Sequence, residues 1–182
     1  MIIENITESD FPGMVFEYDR GGSLFGATNN FALYSKCKRY RYRLVREWIG
    51  NDDRVLFIML NPSTATAFKN DPTVARCQKF AARWGCCGFE VRNIFAYRST
   101  DPKGLKEVDD PIGDNPIWYE GDKFFLVVAA WGNHGEYMGR GDQVLSMLYD
   151  KRIVISHFGL TNKEQPRHPL YVRGDTVLKR FA

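Results

Sequence analysis

The sequence lacks most of the features that fix a function on sight. No apolar run approaches the roughly 18 residues of a membrane span. Met1 to Asp10 have neither a basic start nor an apolar core, so a cytoplasmic protein with no membrane partner is expected. Cysteine is scarce: Cys37, Cys77, Cys86 and Cys87 include no CxxC pair, and two are adjacent, which argues for reduced thiols rather than a disulfide framework. With three histidines in the whole chain, Cys77, Cys86 and Cys87 would need a distant partner to complete a zinc site, so no metal is expected. There is no GxxxxGK[ST], complete GxGxxG, HExxH or GxSxG, and Gly139-Arg140-Gly141 is only a fragment. P-loop hydrolysis, Rossmann cofactor use and serine esterase chemistry therefore lose their basis, and no cofactor is expected.

What is present suits one core. A chain of 182 residues that is 44% hydrophobic falls within single-domain size. The net charge of +3 gives little general pull toward nucleic acid, but its distribution is uneven. Lys36, Lys38, Arg39, Arg41, Arg43 and Arg46 interleave with Tyr34, Tyr40 and Tyr42, whereas Glu107, Asp109, Asp110 and Asp114 form an acidic stretch. Lys36, Lys38, Arg39, Tyr40, Arg41, Tyr42 and Arg43 are thus candidate nucleic-acid contacts. The same alternation also suits a half-buried edge strand.

Periodicity outlines the elements. Phe25 to Ser35, after Arg20-Gly21-Gly22-Ser23, reads as an N-terminal strand or hairpin. Tyr40 to Ile49 reads as an edge strand passing into a short helix. VLFIML at Val55 to Leu60 is a continuous apolar run, too short for a helix, and reads as a central strand buried on both faces. Asp71-Pro72 then places a capping side chain before a proline at the first helical position. Val74, Cys77, Phe80, Ala81 and Trp84 follow at helical spacing, with a stop at Gly85 or Gly88. Phe89 to Ala96, Lys123 to Ala130 and Arg152 to Ser156 read as further strands, and Val144, Leu145, Met147 and Leu148 as a helical stripe between the last two. This order predicts one α/β domain. Residues 51–182 form its core, a central, mainly parallel four-stranded sheet with helices on both faces, and residues 1–50 form an extension packed on it.

In such a sheet, ligands bind beyond the carboxyl ends of the strands. Those positions are Asn61 to Thr66, Tyr97 to Thr100, Trp131 to His134, and His157 onward. The loop Leu60-Asn61-Pro62-Ser63-Thr64-Ala65 stands at the centre of this set. It reads either as a plain turn or as a site next to a helix N-terminus. Asn amides offer a donor and an acceptor in one plane, as a nucleobase edge requires. His168, held between Pro166 and Pro169, is a rigid imidazole suited to stabilising developing negative charge. The candidate catalytic residues are Asn61 and His168. Pro62, Ser63, Thr64, Asn93, Arg98, Trp131, Asn133, His134 and Arg167 are candidate substrate contacts.

Six ordered motifs carry a resemblance: FIMLNPSTA (57–65), DPTVARC (71–77), NIFAYRST (93–100), PIGDN (111–115), AAWGNHG (129–135) and PRHPLYV (166–172). From about Tyr40 onward the chain resembles a bacterial and phage family of unknown function marked by an LNPSTA signature. A more distant similarity is to the uracil-DNA glycosylase superfamily, whose members carry GLNPG, TN, LLWG and HPS motifs in that order. Here these correspond to Leu60-Asn61-Pro62, Arg92-Asn93, Ala130-Trp131-Gly132 and His168-Pro169. That resemblance implies a three-layer α/β sandwich, with Asn61 positioning a hydrolytic water, Asn93 reading the base edge and His168 donating to the departing base. Ser63 stands where that superfamily has glycine, and Leu170 where it has the serine that grips DNA, which weighs against action on intact duplex.

Three functions remain open. One is a nucleobase- or nucleotide-recognising enzyme that hydrolyses an N-glycosidic bond in DNA or a modified nucleotide. Another is a non-catalytic nucleic-acid-binding module built on residues 34–46. The third is a small-molecule hydrolase or transferase with His134 or His157 as base.

Overall fold

In chain order the elements are β1 (Val15–Ser23), β2 (Gly26–Tyr34), β3 (Arg41–Trp48), β4 (Val55–Met59), α1 (Pro72–Arg83), β5 (Gly88–Asn93), β6 (Leu126–Ala129), α2 (Arg140–Asp150), β7 (Ile155–His157) and β8 (Lys179–Arg180). The structure is a computed structural model that describes residues 10–23, 26–114 and 124–181. Lys123, placed at the start of a strand by its sequence pattern, and Asn115 of the PIGDN motif lie outside these residues.

The strands form one eight-stranded sheet in the order β1-β2-β3-β5-β4-β6-β7-β8. Strands β5, β4, β6 and β7 pair in parallel, while β1 with β2, β2 with β3, β3 with β5, and β7 with β8 pair antiparallel. This corrects the sequence expectation. The sheet is mixed and eight-stranded, not a four-stranded, mainly parallel sheet at the centre of a three-layer sandwich, and two α-helices accompany it among the described residues. Strands β1 to β3 continue the same sheet beyond β5.

Segment 40–49 is likewise neither an edge strand nor partly helical. It is strand from Arg41 to Trp48 and lies between β2 and β5, with residues 41–47 all buried. Its charges disguise this position because Arg43 and Glu47 are paired inside the protein and Arg41 and Arg46 donate to backbone carbonyls. The Arg43 guanidinium grips Glu90 bidentately, Nε to Oε1 at 2.6 Å and Nη2 to Oε2 at 2.7 Å, and Arg92 Nε donates to the same Oε1 at 2.7 Å. Arg54 pairs with Glu47 at 2.9 Å. Burial works to raise the Glu90 pKa, but the two flanking guanidiniums outweigh it and bring it down to about 2.

Two apolar clusters line opposite faces of the central strands, following the period-2 alternation of a strand. Phe57, Phe89 and Val128 pack against Val74, Cys77, Phe80 and Ala81 of α1. Leu56, Ile58, Val127 and Ile155 pack against Val144 and Leu148 of α2. Asp71 caps α1 by accepting from the Val74 amide at 2.8 Å, and Pro72 occupies the first turn, where a missing N–H costs nothing. Gly85, at φ +76°, takes the left-handed conformation just beyond the helix end.

One local irregularity decides how β3 presents its side chains. Leu33 faces Arg43 and Tyr34 faces Arg41, so a single step on β2 spans two residues of β3, and Tyr42 is the extra residue of a bulge. The bulge moves Arg41 off the face occupied by Arg43 and onto that of Tyr34, which belongs to the α1-side cluster.

Candidate functional site

A cavity of about 730 Å³ opens at the carboxyl ends of β4, β5 and β6, next to the N-terminus of α1. Its walls come from several segments of the chain. The loop after β4 supplies Asn61 and Ser63, and the start of α1 supplies Asp71 and Thr73. Asn93 ends β5, Trp131 to His134 follow β6, and Arg167, His168, Leu170 and Tyr171 come from the loop beyond β7. Arg41 of β3 reaches the same space.

The site loop is pinned from below by arginines of β3. Arg41 Nη1 donates to the Ala65 carbonyl at 2.7 Å, and Arg46 donates to the Thr66 carbonyl and, at 2.9 Å, to Asn70 Oδ1. Burial lowers the pKa of both guanidiniums to about 10, so they remain charged at neutral pH. Arg41 Nε has no hydrogen-bond partner. Its guanidinium forms no ion pair among the described residues.

Asn61 has a fixed orientation. Its Nδ2 donates to the carbonyls of Pro62 at 3.1 Å and Ser99 at 2.8 Å, and the Ser99 amide donates back to Pro62 O at 2.9 Å. With both amide hydrogens engaged, Oδ1 remains as an acceptor.

His168 is held as firmly. The segment around it is tied to α1 by Arg76, which donates to Pro169 O at 3.4 Å and Val172 O at 2.6 Å. It is tied to the loop after β6 by the Gly132 amide on Pro166 O at 2.8 Å. His168 Nδ1 accepts from the Leu170 amide at 3.3 Å, which puts the proton of the neutral imidazole on Nε2. Burial pushes the His168 pKa down to about 4, against a smaller upward pull from Asp71. The ring is therefore neutral at pH 7 and offers an N–H.

Of the residues singled out from the sequence, Asn61, Ser63, Asn93, Trp131, Asn133, His134, Arg167 and His168 line this one cavity. Pro62 is buried behind it. Thr64 and Arg98 instead line an adjoining cleft of about 330 Å³. Trp131 is a buried wall rather than an open stacking surface, and its Nε1 donates to Gln165 Oε1 at 2.8 Å.

The basic set needs correction. Arg41, Tyr42 and Arg43 are buried in β3 and present no open surface; Arg41 reaches the cavity, and Arg43 is paired with Glu90. Lys36, Lys38 and Arg39 are exposed and Tyr40 partly so. His157 is also displaced from its expected place. It ends β7, is buried against Phe181 and accepts the Gly159 amide at 3.0 Å on Nδ1, so it does not line the cavity. No group of three or more His, Cys, Asp or Glu among the described residues is arranged to hold a metal, and no helix among them is long and apolar enough to cross a membrane.

Two charged residues line the cavity although the sequence pointed them elsewhere, Asp71 to a helix cap and Arg41 to a basic surface. Asp71, read as a helix cap alone, is the one carboxylate among the described residues lining the cavity. Its signal was its place at the start of the helix that follows the site loop. Arg41 carried no such signal, since its inward face depends on the bulge.

The family model described as Protein of unknown function (DUF1643) matches residues 41–170. The chain belongs to this family. The DUF1643 segment runs from Arg41 in β3 to Leu170 beside His168, so it contains the strands from β3 to β7 and nearly all of the cavity wall. Strands β1, β2 and β8 fall outside it. No curated protein and no solved structure matches the chain.

Proposed function

We propose that this protein is a nucleobase- or nucleotide-recognising enzyme that hydrolyses an N-glycosidic bond. The observation that carries the reading is the convergence of Asn61, Asn93 and His168 on one cavity, from three separate segments of the chain. The ordered resemblance of the loops holding these residues to those of the uracil-DNA glycosylase superfamily supports it.

In this reading Asn61 Oδ1 accepts a hydrogen bond from the attacking water, and the Asn93 amide pairs with the base edge. The water oxygen bonds to the anomeric carbon of the sugar as the carbon–nitrogen bond breaks. The electron pair of that bond leaves with the base, where the neutral His168 Nε2–H stabilises it without reorganisation. The proton released by the water passes to Asp71, whose second oxygen is not used by the helix cap. A base joined to its sugar inside a duplex must be turned out of the stack to reach such a cavity.

The test is an assay on single-stranded and duplex DNA containing uracil or other altered bases, and on the corresponding free nucleotides. Release of free base by the wild type, with at least a hundredfold loss in Asn61→Ala and His168→Ala, is the expected result. Base release that survives both substitutions, or no release from any of these substrates, overturns the reading.

A further inference from the structure

The adjoining cleft is not used by the chemistry above. It shares Ser63, Ser99 and Thr100 with the main cavity, so the two spaces are contiguous. Its remaining wall carries three cations, Lys38, Arg39 and Arg98, and none of the residues lining it is acidic.

These cations are set in place by the fold. Lys38 turns the chain at φ +55°. Arg98 Nη1 donates to the Lys38 carbonyl at 3.1 Å, and the Arg98 amide to Arg39 O at 2.9 Å. The Arg98 guanidinium lies 5.2 Å from the centre of the Tyr34 ring, and that of Arg39 lies 5.6 Å from the centre of the Tyr97 ring. Lys38 is partly neutralised by Glu17 at 3.0 Å. Arg39 and Arg98 have no carboxylate within ion-pair distance among the described residues, and Arg98 Nε has no hydrogen-bond partner. Two ordered, unneutralised guanidiniums beside the hydroxyls of Ser63 and Thr64 make a complement to a tetrahedral oxyanion.

We infer that the substrate is a phosphate-bearing nucleotide whose phosphate lies in this cleft against Arg39 and Arg98 while its base enters the main cavity. The inference rests on the nucleobase reading of that cavity. A 5′-phosphate of a free nucleotide and a phosphodiester of a single strand present the same oxyanion, so the experiment must separate them.

Binding of inorganic phosphate, a deoxynucleoside, its 5′-monophosphate and a ten-nucleotide single strand is measured by calorimetry at two salt concentrations. The proteins are the wild type, Arg39→Gln and Arg98→Gln. The monophosphate is expected to bind at least tenfold more tightly than the nucleoside, with most of that gain lost in each variant and nucleoside binding unchanged. Arg39, which is exposed, keeps the test valid if Arg98→Gln fails to fold. A phosphate gain that persists in Arg39→Gln, or no gain in the wild type, overturns the inference. If the single strand shows the Arg39 dependence and a steeper loss with salt, the phosphodiester is the source; if the monophosphate alone shows it, the source is the free nucleotide. Arg39-dependent binding of inorganic phosphate without any nucleoside binding upholds the anion cleft and rejects the nucleobase reading.

Discussion

Arg41 Nη1 holds the carbonyl of Ala65 at 2.7 Å, joining the middle of the sheet to the loop on which the candidate site is built. An arginine that reads in the sequence as part of a basic surface is in fact a buried support for the site.

Replacing Arg41 by methionine is expected to disturb the site more than the fold. Losing the charge-assisted bond to Ala65 costs about 1.5–3 kcal/mol, and removing a buried guanidinium with no ion-pair partner offsets much of that. The net change in unfolding free energy should stay below about 1.5 kcal/mol by urea titration, while, on the proposed chemistry, base release falls at least tenfold. A loss of stability above about 3 kcal/mol with activity retained per folded molecule would show that Arg41 serves the fold alone.

Glu90→Gln tests the buried ion cluster. Arg43 and Arg92 would be left facing a neutral amide at full burial, and breaking one member of such a cluster costs about 3–5 kcal/mol. The pH dependence has a definite sign. Because the Glu90 pKa in the fold, about 2, lies below the ordinary 4.5, its contribution is fully present above pH 4.5 and is lost as pH falls toward 2. Acid titration of wild type and variant by circular dichroism should differ in that window.

His168 acts over a different range. Its pKa in the fold, about 4, lies below the ordinary 6.5, so as pH falls the unfolded chain takes up a proton before the folded one does. Stability attributable to His168 is therefore intact above pH 6.5 and declines between 6.5 and 4, by on the order of 3 kcal/mol at the acid end. His168→Gln should lack this decline in denaturant titrations at stepped pH. The pH dependence of the imidazole chemical shifts by NMR gives the same pKa directly.

Asp71 has two tasks that substitution can separate. Asp71→Ser keeps a side-chain oxygen for the Val74 amide and should cost less than about 0.5 kcal/mol, whereas Asp71→Ala should cost about 1 kcal/mol through loss of the cap. If the carboxylate takes the proton of the attacking water, both variants lose at least a hundredfold in base release. Full activity in Asp71→Ser would confine the residue to capping.

Much of the local structure is legible in the sequence. The run at 55–60 announced β4 because six apolar residues between turn signals fit a strand covered on both faces. Asp71-Pro72 announced α1 because cap and proline act within one turn. The loop at 60–65 and His168 stand out by their positions past strand ends, and Leu60, Asn61 and Ser63 of that loop line one cavity with His168 and Asn93. Segment 40–49 was misread for an equally physical reason. The partner that neutralises Arg43 lies 47 residues away in Glu90, so alternating charge looked like a solvated edge although both faces are covered.

The sequence by itself determined the central strands, the capped helix and the residue types available to a site, since periodicity, capping and turn chemistry depend on neighbours a few positions apart. Only the tertiary structure decided that the N-terminal strands join the same sheet, that Tyr42 bulges so that Arg41 turns toward the Ala65 carbonyl, and that Arg39 and Arg98 meet beside one cleft. Those outcomes follow from strand register and long-range pairing of charge, and no local pattern encodes either.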